Sequence, residues 1–225
     1  MSAPFAIVYE DEHLIVIDKG AGLVVHPGRG HREDTLSQLL AGQLAGGDPQ
    51  RAGIVHRLDR DTSGLMVVAR SEEAHRRLQA ELAARRIERE YTALVEGRPP
   101  ARTGTIDAPV GRDPRMRTRM AVGGSGAREA RTHFTLERAL PRASLLALKL
   151  ETGRTHQIRV HLQAIGHPVA GDPDYGTPGL YGLERQFLHA TRLAFTHPLD
   201  GRALELRSPL PADLRAALER AAGSG

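Results

Sequence analysis

The chain has 225 residues, with 31 basic and 27 acidic side chains, 11 histidines and no cysteine. The lack of cysteine excludes a disulfide framework, a thiolate nucleophile and a Cys-ligated zinc, and no run approaches the 18 apolar residues of a membrane helix. The N-terminus carries acids where a secretory signal has a basic head, so a cytoplasmic protein with room for one large core is expected.

Short strands are predicted first, at "AIVYED", "HLIVIDK" and "GLVVHP". A helix over 35–45 follows, capped by Asp34 or Thr35, with Leu36, Leu39 and Leu40 on one face. "GLMVVAR" reads as a buried strand. Ser71 caps a helix over 72–89 that opens on Glu72 and Glu73, where the dipole favours acids. Its basic remainder, Arg76, Arg77, Arg85, Arg86 and Arg89, reads as a solvated face or the wall of an RNA groove. "EYTALVEG" is a strand. Residues 98–131, with scattered prolines and "GGSG", read as hairpins and a basic irregular loop. "RTHFTLER", "SLLALKLE", "FLHATRLAFTHP" and "RALELRSP" are strands, and a short helix over 212–222 ends the chain. In "THQIRVHLQAIG" the period turns helical, with Thr155 as cap and Gly166 as stop. Without a regular βαβ rhythm, the expected fold is α/β in the α+β sense, a mixed and largely antiparallel sheet with packed helices. One domain over 1–225 is expected, and a monomer, since no repeated apolar stripe asks for a partner.

The basic side chains are 29 arginines against two lysines, Lys19 and Lys149. Arginine's planar fork suits phosphate, which is compatible with an RNA partner and equally with a GC-rich genome. Four phenylalanines, four tyrosines and no tryptophan exclude a broad aromatic platform for bases. Walker loop, dinucleotide fingerprint and nucleophile elbow are all missing, so no nucleotide cofactor is expected. No metal is expected either: the histidines form no zinc spacing, and "GDPD" offers too few oxygens for a cage. The remaining concentration of chemistry is "HRLDRDTSG", His56 to Gly64. There Asp59 lies between Arg57 and Arg60, cations that favour an ionised carboxylate. A structural ion pair and a preorganised site both fit that pattern.

With its apolar sequel, "HRLDRDTSGLMVVAR" resembles the signature of the RluA-type pseudouridine synthases. The other segments follow in that family's order: "EDEHLIVIDKGAGLVVHP", "REYTALVEG", "TGRTHQIRVHLQAIGHPVAGDPDYG" and "FLHATRLAFTHP". The resemblance implies the pseudouridine synthase catalytic fold, RNA as partner (ribosomal RNA first, tRNA next), and isomerisation of uridine without a cofactor. It makes Asp59 the essential aspartate, Tyr91 the tyrosine that stacks on the base and Arg159 the arginine that pairs with the aspartate. Arg57 would fill the space of the extruded nucleotide, Leu188 would line the pocket, and His56 is counted with the substrate-binding residues. Gly20 replaces a proline usual in the family and is expected to loosen a turn. Because the catalytic sequence begins almost at Met1, no S4 domain is expected ahead of it. The alternatives are a noncatalytic RNA-binding or ribosome-assembly protein, and a hydrolase with a second carboxylate. For the hydrolase, Asp61 lies too close in sequence to oppose Asp59, and Asp172 and Asp174 are expected to fix a turn.

Overall fold

The computed structural model describes residues 4–27, 35–116 and 118–223. In chain order the elements are β1 (Phe5–Glu10), β2 (Leu14–Lys19), α1 (Leu36–Leu39), β3 (Ser63–Ala69), α2 (Glu72–Ala83), β4 (Glu88–Glu96), β5 (Thr103–Asp107) and β6 (Val110–Arg112). They continue as β7 (Met120–Val122), β8 (Ser125–Arg128), β9 (Arg131–Ala139), β10 (Ala143–Leu150), α3 (Gln157–Ala164), β11 (Leu188–Thr196), β12 (Ala203–Arg207) and α4 (Ala212–Ala221). The chain divides into two compact units, Met1–Arg89 with Ala190–Ser208 and Glu90–His189 with Pro209–Gly225.

In the first unit the strands run β1-β2-β3-β11-β12, with β1–β2, β2–β3 and β11–β12 antiparallel. All seven residues of β3 are buried, which is why that strand shows no alternation in sequence. Helix α2 supplies Ala74 and Leu78 to a core with Leu14, Val16, Leu65, Val67, Ile87, Leu193 and Phe195. Each fully buried Leu or Phe there contributes about 1.5–3 kcal/mol. Gly64, at φ +111°, is required by close approach: a Cβ would lie 2.3 Å from the Ala190 carbonyl oxygen.

In the second unit β4-β10-β9-β5 form an antiparallel sheet. A three-stranded sheet places β6 between β7 and β8. Helix α3 is buried at every position from Gln157 to Leu162, and its Val160 packs with Val110, Ala130 and Tyr175. The α+β architecture with antiparallel strands and packed helices is the one expected from sequence. Among the described residues no helix is long and apolar enough to cross a membrane.

Several boundaries differ for identifiable reasons. "GLVVHP" is not a strand: the Val24 and Val25 carbonyls instead accept the first amides of α1, from Leu36 and Ser37. That helix stops at Leu39, because Gly42, Gly46 and Gly47 all take positive φ. Thr35 is its N-cap, with its amide and hydroxyl both on the Gln38 carboxamide oxygen; Asp34 lies outside the described residues. Helix α2 ends at Ala83 and Arg85 turns left-handed at φ +60°, so Arg89 is buried in β4 rather than on a helix face. Thr155 does not cap α3. The N-cap is His156, itself left-handed at φ +55°.

Candidate functional site

The "HRLDRDTSG" segment belongs to the first unit and forms a turn entering β3. Leu58, Thr62 and Ser63 are buried and Asp59 is half-buried. The Thr62 amide donates to the Asp59 carbonyl at 3.1 Å. Beneath the turn lies Lys19, 1% exposed. Its Nζ donates to the carbonyls of Gly20 (2.8 Å), Leu23 (2.9 Å) and Arg60 (2.8 Å). The Gly22 amide reaches the same Arg60 carbonyl at 3.0 Å. Three converging carbonyls suit an ammonium, whose three donors rotate; a planar guanidinium does not fit such a cradle. A buried ammonium is costly unless hydrogen-bonded, so this bracing of the residue next to Asp59 is specific.

The rest of the turn is equally committed. Arg60 forks onto Asp61 at 3.1–3.2 Å on the surface. Arg57, exposed, lies with Nη1 2.9 Å from Nε2 of His26. A guanidinium only donates, so Nε2 accepts and Nδ1–H is left for the Pro27 carbonyl, 3.1 Å away. Burial and the nearby arginines push the His26 imidazole below its usual pKa. Nε2 of His56 accepts the Val67 amide at 3.1 Å. Its Nδ1 is sealed from solvent and has no hydrogen-bond partner among the described residues. Burial and the Arg89 charge lower its pKa to about 3. The Gly20 expectation needs correcting. The Gly20 amide, which proline would lack, donates to the Pro4 carbonyl at 2.8 Å, and a Cβ there would sit 2.8 Å from that oxygen. Glycine ties this turn down rather than loosening it.

The second unit holds Tyr91 on β4, opposite Leu148 of β10. Tyr91 and Leu188 are both buried. Arg159 lies on α3 with its side chain 4% exposed. Nε and Nη2 fork onto Asp172 at 2.7 and 2.8 Å, and Nη2 also donates to Asp174 at 2.7 Å. Asp172 is fully buried and also accepts the amides of Asp174 and Tyr175. It therefore does fix a turn, and holds Arg159 with the same carboxylate. Charge-assisted, bidentate pairing is what makes such burial tolerable.

Polar side chains set the angle of α3. Gln157 accepts from the Thr152 hydroxyl and the Arg154 amide, and donates to the Arg131 carbonyl and Thr132 hydroxyl. His161 lies 2.9 Å from both the Thr132 hydroxyl and the Ala108 carbonyl. Tyr175 places its ring 4.9 Å from the Arg159 guanidinium carbon. The sequence did not single out Lys19, His26 or Tyr175, which brace these segments in the structure. For Lys19 a signal existed, since a chain that uses arginine almost throughout keeps a lysine at that one point of the motif. For the other two only spatial proximity shows it.

Both units therefore carry buried, ordered polar groups around residues of the family-like segments. The family model for RNA pseudouridylate synthase matches residues 13–164. An RNA pseudouridine synthase of Chloroflexus aurantiacus is 55% identical over 207 residues, 90% of this chain and 65% of the relative. Ribosomal large subunit pseudouridine synthase D of Nitrosomonas europaea is 50% identical over 227 residues, 96% of this chain and 65% of the relative. The chain thus spans a little under two thirds of the length of these two relatives. Among solved structures, human RNA pseudouridylate synthase domain containing 1 superposes with a TM-score of 0.71 at 31% identity, covering 92% of this chain and 84% of that one. By sequence and by fold, the chain belongs to the RNA pseudouridylate synthase family.

Proposed function

We propose that this chain is an RNA pseudouridine synthase that isomerises specific uridines in structured RNA, ribosomal RNA first and tRNA next. Acting as a monomer in the cytoplasm, it breaks the C1′–N1 bond, turns the uracil and rejoins it through C5. No atom is gained or lost, so the reaction is complete without a cofactor. Asp59 is the pivot, either attacking C1′ or taking the C2′ proton. Arg159 is the arginine that the resemblance assigns to pair with that carboxylate. Tyr91 presents its face to the uracil, and its hydroxyl is placed to assist removal of the C5 proton. Arg57 fills the vacancy left by the extruded nucleotide, with Leu188 and His56 on the binding side. Extrusion costs a few kcal/mol, least in a loop or distorted stem.

The observation that carries the reading is the turn at Asp59, where a buried lysine with three carbonyl acceptors is spent on fixing the backbone beside a half-buried acid. A turn with no task would not need it. Arg76 and Arg77 pair with Glu73 and Arg86 with Glu81, the pattern of a solvated helix face. Phosphate contacts are assigned to exposed arginines, among them Arg112, Arg115 and Arg128 on or beside β6 and β8. Such contacts position RNA rather than read it and make binding fall with salt.

The test maps pseudouridines in total RNA by reverse-transcription stops at carbodiimide adducts. Cells with and without the gene are compared, with rescue by wild type or Asp59→Asn. The expected result is one or more sites lost on deletion and restored only by wild type. No changed site, or rescue by Asp59→Asn, would sink the reading and favour a noncatalytic RNA-binding role.

A further inference from the structure

Tyr175 is not among the residues that the resemblance marks for chemistry, yet several devices of the second unit converge on it. Its ring lies 4.9 Å from the Arg159 guanidinium carbon, and Arg119 approaches the same ring at 5.9 Å. Its hydroxyl accepts the Met120 amide of β7 at 2.8 Å. The same oxygen is 2.8 Å from Nδ1 of His156. A phenol oxygen carries one proton and two lone pairs, so it can hold both contacts at once. Burial raises the Tyr175 pKa, so the proton stays on the phenol at neutral pH. His156 meets the ring edge-on, with centroids 5.6 Å apart and planes at 80°. It does so from left-handed backbone, which a non-glycine residue keeps only where its surroundings impose it.

This arrangement supplies what the carboxylates do not. Asp172 and Asp174 hold Arg159 along its Nε–Nη2 edge, which stops rotation within the guanidinium plane. The guanidinium carbon lies over the Tyr175 ring, so the ring limits its movement on that side, and the two bonds of the hydroxyl keep the ring itself from turning. We propose that Tyr175 is a positioning residue, whose ring backs the Arg159 guanidinium and whose hydroxyl couples it to the seating of β7 in the arginine-bearing sheet. The inference rests on the reading of the chain as a pseudouridine synthase.

Tyr175 also packs with Val110, Ala130 and Val160, so its test must separate positioning from simple core filling. Tyr175→Phe keeps the ring and removes the hydroxyl; Tyr175→Leu removes the ring. Pseudouridine formation by the full chain is followed on a transcript carrying the mapped uridine, at a temperature where urea melts show every variant folded. Tyr175→Phe is expected to hold kcat within about twofold of wild type while KM for the transcript rises up to about tenfold, one hydrogen bond's worth. Tyr175→Leu is expected to lower kcat about 10²-fold, the effect of misplacing an oriented group. Equal losses of kcat in both variants, or wild-type kcat in Tyr175→Leu, would overturn the inference alone. A wild-type protein that forms no pseudouridine in any RNA would remove the reading beneath it, and the inference with it.

Discussion

The turn at Asp59 and the helix at Arg159 solve one problem, the placing of a charged side chain in a mostly buried setting, by opposite means. At Asp59 the brace acts on the main chain: a buried ammonium gathers the carbonyls of Gly20, Leu23 and Arg60. At Arg159 it acts on the charged atoms themselves, through the carboxylates of Asp172 and Asp174 and the face of Tyr175. The difference matters energetically. Side-chain bracing makes the two partners interdependent, because removing either leaves an uncompensated buried charge. Backbone bracing is more forgiving, since the three carbonyls that Lys19 holds are neutral and removing the lysine also relieves the cost of burying its charge.

That asymmetry gives an order of effects. Asp172→Asn is the most damaging, because it takes a fully buried carboxylate from the Arg159 guanidinium and weakens the turn at Asp174 and Tyr175. A loss of about 3–5 kcal/mol in urea unfolding is expected. Lys19→Met follows at about 2–3 kcal/mol, for carbonyls left without their charged donor, with activity lost beyond that as the turn loosens. Lys19→Arg should not rescue it, because a planar fork cannot meet three converging oxygens. If Lys19→Met proved more destabilising than Asp172→Asn, the distinction between the two braces would fail.

How far the sequence showed these devices follows the same division. Strands β2, β3, β4, β9 and β10 are legible because apolar runs and β-branched residues mark them locally. The ends of α1 and α2 are not, because left-handed residues decide them and Arg85 gives no sign of its φ in sequence. "GLVVHP" has strand composition, yet its carbonyls serve the start of α1, and that use depends on a tertiary contact. Asp59, Tyr91 and Arg159 stand out through family-like segments. Their supports do not, because Lys19 lies 41 positions from Arg60 and Tyr175 lies 55 from Met120. Such pairings come from the fold and carry no local period.

Acid distinguishes the Asp59 turn further, because an imidazole sits at its root. His56 has a folded pKa of about 3, against about 6.5 in an unfolded chain. Between those values the unfolded state takes up a proton that the native state refuses. Stability is therefore unaffected above about pH 6.5 and declines as the pH falls from there towards 3. At pH 5.5 this one group is expected to cost about 1 kcal/mol relative to pH 7.5. His26, also shifted downward, adds to the same slope. His56→Gln should remove its own share and leave that of His26. Urea midpoints of both proteins from pH 7.5 to 5 test this: the gap between them should change with pH in favour of the variant as acid is added. A constant gap would mean that His56 titrates normally and that its Nδ1 is not shielded from solvent.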